Sequence, residues 1–216
     1  MVHILSQQNS IANQYLAELR DVHIQKDRWR FRNNLERTGE ILAYEISKTL
    51  PFERLEVETQ LGIANTYVPS QPIVLAPILR AALPLHQGML KFFDKAENAF
   101  VSAYRQHHKD GSFEINLEYL SCPDLHNKIL VIIDPMLATG ASMELALKEL
   151  SKHGQPVQIH FATVIASPYG LERLERLFPQ AHIWMLELDE ELTAKSYIVP
   201  GLGDAGDLAF GPKLQD

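Results

Sequence analysis

Ile129-Leu-Val-Ile-Ile-Asp-Pro-Met-Leu-Ala-Thr-Gly-Ala-Ser142 is the stretch that decides the fold. Its first five residues are apolar and mostly β-branched, so both faces of the strand they form need cover. Such runs belong to parallel sheets with helices on each side. Asp134 ends the run, a Thr139-Gly140 turn follows, and Met143, Ala146, Leu147 and Leu150 then recur at helical spacing. Lys152 and His153 fall in the last turn with Gly154 beyond it, as a helix C-terminus requires. The first amides of such a helix lack intrahelical acceptors and carry the positive end of its dipole, which suits a phosphate. The hydroxyls of Thr139 and Ser142 can add hydrogen bonds. Asp134 sits beyond a strand's C-terminal end, where ligands bind in open α/β sheets. From there it can accept hydrogen bonds from ribose hydroxyls or hold Mg²⁺ through water. The chain contains no Walker A loop. An ordinary strand-to-helix turn has the same outline, so the pattern alone leaves both readings open.

Outward from this segment, strands and helices alternate from residue 70. Strands are expected at Ile73 to Ala76, Ala99 to Ala103, Ile159 to Ala166 and Ile183 to Leu188. Helices are expected at Ala81 to Phe93, Met143 to His153 and Leu171 to Phe178. The alternation predicts a parallel α/β sheet. Between Tyr104 and Cys122 the rhythm breaks: Asp110-Gly111 signals a turn and Ser112 to Leu120 alternates, which predicts a β-hairpin arm over about 104–122. Residues 1–70 are expected to form a helical N-terminal part, with helices over Ser10 to Leu19 and Asn34 to Leu50, the latter ended by Pro51. The basic segment from Gln25 to Asn33 between them reads as a solvated helix start.

The 216 residues, 46 % of them apolar and 22 % charged, suit one domain spanning the whole chain. Twenty Lys and Arg against 27 Asp and Glu leave a net charge of −7, which argues against duplex nucleic acid or an anionic membrane as a bulk partner. Any polyanion must be bound locally, through helix N-termini, a few arginines and Mg²⁺. The lone Cys122 excludes an internal disulfide and a cysteine-based zinc site. The N-terminal residues lack a basic region followed by an apolar run, and no apolar stretch approaches the roughly 20 residues of a membrane span. A cytoplasmic protein is expected.

The segment Asp134-Pro-Met-Leu-Ala-Thr-Gly-Ala-Ser142 resembles the phosphoribosyl pyrophosphate (PRPP) motif of type I phosphoribosyltransferases, in the form carried by the uracil-specific members. A second stretch agrees: Tyr197-Ile-Val-Pro-Gly-Leu-Gly-Asp-Ala-Gly-Asp-Leu-Ala-Phe-Gly211 resembles the uracil-binding loop of the same family. Pro77-Ile-Leu-Arg-Ala-Ala-Leu-Pro84 resembles its pyrophosphate loop, with Ala82 where the family has glycine, and Ala103-Tyr-Arg105 matches its second PRPP-binding arginine. The resemblance runs from about residue 10 to 213.

It implies the type I phosphoribosyltransferase fold, a mostly parallel sheet flanked by helices with a β-arm and a C-terminal hood over about 190–211. It further implies transfer of the phosphoribosyl group of PRPP to uracil, giving UMP and pyrophosphate. Implied catalytic residues are Asp134, Arg105 and Asp204. Arg80, Arg105, Asp134, Pro135, Met136, Leu137, Ala138, Thr139, Gly140, Ala141, Ser142 and Asp204 are implied to bind PRPP. Ile198, Gly203, Asp204 and Ala205 are implied to bind uracil. Mg²⁺ is the expected cofactor, carried mainly by PRPP, and no protein ligand to it can be named. A GTP effector and a homodimer or homotetramer are compatible with the family. The competing readings are a PRPP-fold regulator that binds RNA, which the acidic charge disfavours, and a transferase for another base. Alanine at position 82 implies a negative φ there, with Arg80 still aimed at the pyrophosphate.

The remaining candidates are structural. His107-His108 is adjacent rather than spaced for a metal and reads as a solvated loop. Cys122 reads as a packing or exposed thiol, Trp29 and Trp184 as core or interface residues, and Glu187 to Glu191 as a solvated strand end.

Overall fold

The computed structural model describes residues 1–107 and 113–213, with backbone alone for 103–107 and 113–117. In chain order the elements are β1 (Val2–Ile4), α1 (Ile11–Arg20), α2 (Arg28–Ser47), β2 (Phe52–Thr59), β3 (Gly62–Pro69), β4 (Ile73–Leu79), α3 (Leu83–Leu90), β5 (Glu97–Asn98), β6 (Phe100–His107), β7 (Phe113–Ser121), β8 (Ile129–Ile133), β9 (Met136–Leu137), α4 (Ala141–Leu150), β10 (Gln158–Ala162), β11 (Ile165–Ala166), α5 (Pro168–Leu177), β12 (His182–Met185), β13 (Glu187–Leu188), β14 (Glu191–Leu192), β15 (Ile198–Val199) and α6 (Ala205–Phe210).

The central sheet runs β1-β12-β10-β8-β4-β6-β7, with β5 beside β4. All its pairs are parallel except β6–β7. The expected parallel core is present, and β8 starts and stops at the residues its apolar run predicts. Its side chains alternate between two cores. Ile129, Val131 and Ile133 pack with Leu35, Leu42 and Leu85 from α2 and α3, while Leu130 and Ile132 pack with Met143, Leu147 and Leu174 from α4 and α5. That two-sided burial is why the run contains no polar residue.

Three expectations need correction. The first 70 residues are not all helical: β1 adds an edge strand, and β2–β3 form an antiparallel hairpin that is exposed on both faces. Helix α2 begins at Arg28, six residues before the expected start. Asp27 caps it by accepting from Trp29 N–H (3.0 Å) and Arg30 N–H (3.1 Å), and Phe31 extends its buried face. The strands expected at 159–166 and 183–188 each break in two. Past the break, β9, β11 and β13 form a small parallel sheet beyond the C-terminal ends of the main one. The arm's two strands are present as β6 and β7, but β6 is continuous with the main sheet through its pairing to β4. Its turn, with His108 and Asp110-Gly111, lies outside the described residues.

The basic segment before and within α2 is structural. Arg30 makes a two-pronged pair with the buried Glu18 (2.9 and 2.7 Å), and Asn34 adds a third bond at 2.7 Å. The Arg30 bond, then the Asn34 bond, bring the Glu18 carboxyl down to about 2.

At the β1–β12 edge, His3 stacks on Trp184 at 3.7 Å, and the Trp184 indole N–H donates to Nδ1 of the buried His160 at 3.0 Å. His160 Nε2 then carries the ring proton and finds no partner among the described residues. Burial first, then the neighbouring His182 and His3, lower the His160 imidazole to about 3. An unfolded histidine titrates near 6.5, so the neutral buried ring supports the fold fully above that pH and loses this support as pH falls toward 3. The slope is at most about 1.4 kcal/mol per pH unit. Urea unfolding between pH 7 and 5 is expected to show this steepening. His160→Gln, which keeps an acceptor for Trp184, is expected to flatten it, and equal slopes in both proteins would remove His160 as the cause.

Candidate active site

Strands β4 and β8 are neighbours in register, with Pro77 opposite Ile133. From this pair the chain departs in opposite directions, β4 leading toward β6 and β8 toward β10. The crevice at such a switch point is where an open α/β sheet binds ligands. Arg80 follows β4 and Asp134 follows β8, so the topology brings these two residues to its mouth.

The loop 134–142 is built as a cradle. Asp134 N–H donates to Ala162 O (3.1 Å), and an Asp134 carboxylate oxygen receives Met136 N–H (3.3 Å). Gly140, at φ +76°, is the N-cap of α4, and Thr139 Oγ1 accepts from Ala141 N–H at 3.4 Å. The amides of Ser142 and Met143 have no acceptor among the described residues, and they form the positive end of the α4 dipole. Glu144 in the same turn would oppose an anion, but Arg173 holds its carboxylate through Nε at 2.8 Å and Nη2 at 2.6 Å.

Helix α5 fixes the cradle from behind. Ser167 Oγ donates to Ala138 O (2.5 Å) and accepts Gly170 N–H (3.0 Å). A Cβ on Gly170 would stand 2.5 Å from Ala138 O and 2.9 Å from Leu137 O. Gly170→Ala must push the cradle out of place. We expect its KM for a phosphate-bearing substrate to rise by about tenfold or more, since misplacements of about 1 Å can cost 10²-fold. Steady-state kinetics checks this, and unchanged KM would show that the loop yields freely.

The hood closes the site from the C-terminal side. β15 pairs with β14, Val199–Pro200 is cis, and Gly201 (φ +66°) and Gly203 (φ +91°) turn the chain as only glycine does readily. Asp204 is the N-cap of α6, accepting Asp207 N–H at 2.9 Å. Ile198 and Ala205 are buried. The hood meets the β4 loop: a Cβ on Gly206 would lie 3.6 Å from Arg80 Nε and 3.9 Å from Ala81 Cβ.

Ala82 has φ −76°, as alanine at that position requires, and Leu79–Arg80 is cis. Arg80 itself is not simply aimed into the crevice. Its Nη2 donates to Asp207 Oδ1 (2.7 Å) and Gly211 O (2.8 Å), which ties the loop to the hood. Arg105 lies in β6 opposite Ile115, and its side chain is outside the described set. Cys122 is half-buried, its thiol bonded to Pro123 O and raised to about 11 mainly by burial, which suits packing. Trp184 is core, whereas Trp29 is 64 % exposed.

Sequence reasoning missed three residues here. Asp207 holds Arg80, Ser167 holds the cradle, and Asp189 pairs with Arg20. Within 187–191 the reading as a solvated strand end holds at the exposed Glu190 and Glu191 but fails at Asp189, which is 3 % exposed. Only Ser167 carried a local signal, a serine directly before Pro168 at a helix start.

A family model described as uracil phosphoribosyltransferase matches residues 5–212. The chain belongs to the uracil phosphoribosyltransferase family. Its architecture is a mixed α/β fold around a mostly parallel central sheet. A uracil phosphoribosyltransferase from Porphyromonas gingivalis is 51 % identical over 211 residues, covering 97 % of this chain and 98 % of that protein. One from Thermococcus gammatolerans is 40 % identical over 203 residues, covering 93 % and 89 %. The solved structure of the AQ2163 protein from Aquifex aeolicus superposes with a TM-score of 0.88 at 33 % identity, covering both chains in full.

Proposed function

We propose that this protein catalyses uracil + PRPP → UMP + pyrophosphate. The observation that carries the reading is that the cradle 134–142 follows β8 while the glycine-turned hood 198–206 meets Arg80 after the neighbouring β4, at the switch point between these two strands. The 5′-phosphate belongs on the free amides at the start of α4. Asp134 is placed to accept the ribose hydroxyls, and Asp204 lies on the hood side to orient the ribose. Arg105 takes the pyrophosphate with its guanidinium fork, and Arg80 joins it through Nε and Nη1, since its Nη2 is held by Asp207 and Gly211 O. As C1′ gains cationic character and pyrophosphate leaves, catalysis is positioning plus stabilisation of leaving-group charge.

Among the described residues no three or more His, Cys, Asp or Glu side chains gather as a metal site. The carboxylates near the crevice are hard oxygen donors that suit Mg²⁺ arriving on PRPP, partly hydrated. Mg²⁺ would neutralise pyrophosphate charge.

GTP activation and assembly belong to the same reading. The hairpin β2–β3 exposes Leu55, Leu61, Ile63 and Tyr67, and a two-stranded ribbon is marginal alone, which supports pairing of copies. Light scattering distinguishes dimer from tetramer, and rates with and without GTP decide activation. No helix among the described residues is long and apolar enough to cross a membrane; a cytoplasmic location is part of the proposal.

The test is incubation with PRPP, Mg²⁺ and each free nucleobase. UMP formed only with uracil supports the reading, and turnover of another base or of none overturns it. Arg105→Ala gives a second check. Loss of a charge-assisted hydrogen bond costs about 1.5–3 kcal/mol, so kcat/KM should fall roughly 10- to 150-fold, mostly through KM for PRPP. Unchanged PRPP kinetics would remove Arg105 from the site.

A further inference from the structure

Arg20, the last residue of α1, reaches the hood from the opposite end of the sequence. Its Nη1 and Nη2 donate to the two oxygens of Asp189 at 2.9 and 2.5 Å, and Nη1 also donates to Gly201 O at 2.9 Å. Asp189 Oδ2 accepts Gly201 N–H at 2.8 Å. Both polar groups of the Gly201 residue are therefore held by one ion pair, with Asp189 buried and Arg20 partly buried. Gly201 has no room for another residue: at φ +66°, a Cβ would fall 2.2 Å from Ile198 O.

The other side of Asp189 faces the cradle. Its N–H donates to Ala166 O (2.8 Å), Ala166 pairs with Leu137, and Ser167 N–H donates to Leu137 O (2.9 Å). A path of three hydrogen bonds joined by short covalent links thus runs from the PRPP cradle through Ser167–Ala166 and Asp189 to Gly201. Gln25 supports the same corner, donating to Arg20 O at 3.0 Å.

We infer that Asp189, oriented by Arg20, is a positioning residue that sets the register of the uracil-reading backbone against the PRPP cradle. This rests on the proposed uracil reaction. It assigns a task to a charge pair whose side-chain bonds go to each other and to the Gly201 backbone. The pair separates two functions that share one crevice: PRPP is held chiefly by β8, α4, the β4 loop and Arg105 of β6, none of which uses Arg20, with Asp204 its one hood contact, anchored separately as the N-cap of α6, while the base is held by backbone whose aim depends on the pair. Cutting the pair should misplace the base and spare PRPP.

The experiment is steady-state kinetics of Asp189→Asn, Arg20→Met and Arg20→Lys with both substrates varied. Asp189→Asn keeps an acceptor for Gly201 N–H but weakens the grip on Arg20. The expected result is a rise of about 10- to 100-fold in KM for uracil, the scale of an ångström-sized misplacement, with KM for PRPP within about threefold of wild type. Arg20→Lys should recover part of the loss, because an ammonium can meet Asp189 but cannot span both it and Gly201 O. Equal losses for both substrates, or no change in either, overturn the inference. If Asp189→Asn does not fold, Arg20→Lys alone decides by the same split. A wild-type protein without uracil turnover would instead sink the underlying reaction, so the two failures are separable.

Discussion

Asp134→Asn is expected to lower kcat/KM by about 10²- to 10³-fold while leaving the melting temperature within a few degrees of wild type. The substitution is nearly isosteric. The backbone bond from Asp134 N–H to Ala162 O does not involve the side chain, and an amide oxygen can still accept Met136 N–H. What disappears is the negative charge at the end of β8, at the mouth of the β4–β8 crevice. A hydrogen bond to a charged group contributes about 1.5–3 kcal/mol, and a ribose offers two hydroxyls, so the loss compounds as C1′ becomes cationic. Kinetics together with a thermal melt check both halves. Near-full activity would refute the assigned role. A collapsed melt with lost activity would make Asp134 a folding residue instead.

How much of this was legible in sequence depended on where each residue's partner lies. Strand β8 and helix α4 were readable because burial on both faces and a capped amphipathic helix write themselves into consecutive residues. The start of α2 was missed because the signal rested on one short-range cap, Asp27, inside a run of charges that looked solvated. The hairpin β2–β3 was missed for the opposite reason. Neither of its faces is buried, so no core-facing pattern marks it, and cross-strand pairs such as Arg54 with Asn65 hold it instead. In the site, Asp134 and Arg80 could be placed because each ends a strand. Asp207 and Asp189 could not, because their partners, Arg80 and Arg20, lie 127 and 169 residues away. Asp189 sits in an acidic stretch whose composition argues for solvent. Only the fold, by carrying α1 beneath the hood, turns it inward.

Cytosine is expected to react at least about 10³-fold less efficiently than uracil in kcat/KM. The two bases differ at one edge: uracil presents O4 and N3–H, cytosine an N4 amino group and a bare N3. If the backbone of residues 198–205 reads that edge, an N–H meets O4 and a C=O receives N3–H, and cytosine opposes like with like at both. Each unpaired buried group costs about 1–3 kcal/mol, and sites built on such hydrogen bonds reject the wrong analogue by about 10⁴-fold or more. The geometry changes how this pocket must be probed. Gly203→Val cannot serve as a simple plug. At φ +91° any side chain strains the backbone, while the nearest atoms to a Cβ there, Leu208 Cδ1 at 3.4 Å and Gln25 Oε1 at 3.6 Å, leave it ordinary space. Loss of uracil binding in that variant would report a distorted loop as readily as a filled pocket. Side-chain changes at Val199, a half-buried position on β15, are cleaner. They should weaken uracil binding without switching the base, because the reading atoms belong to the main chain. Comparable turnover of cytosine, or a Val199 variant that inverts the preference, would show that side chains rather than this backbone choose the base.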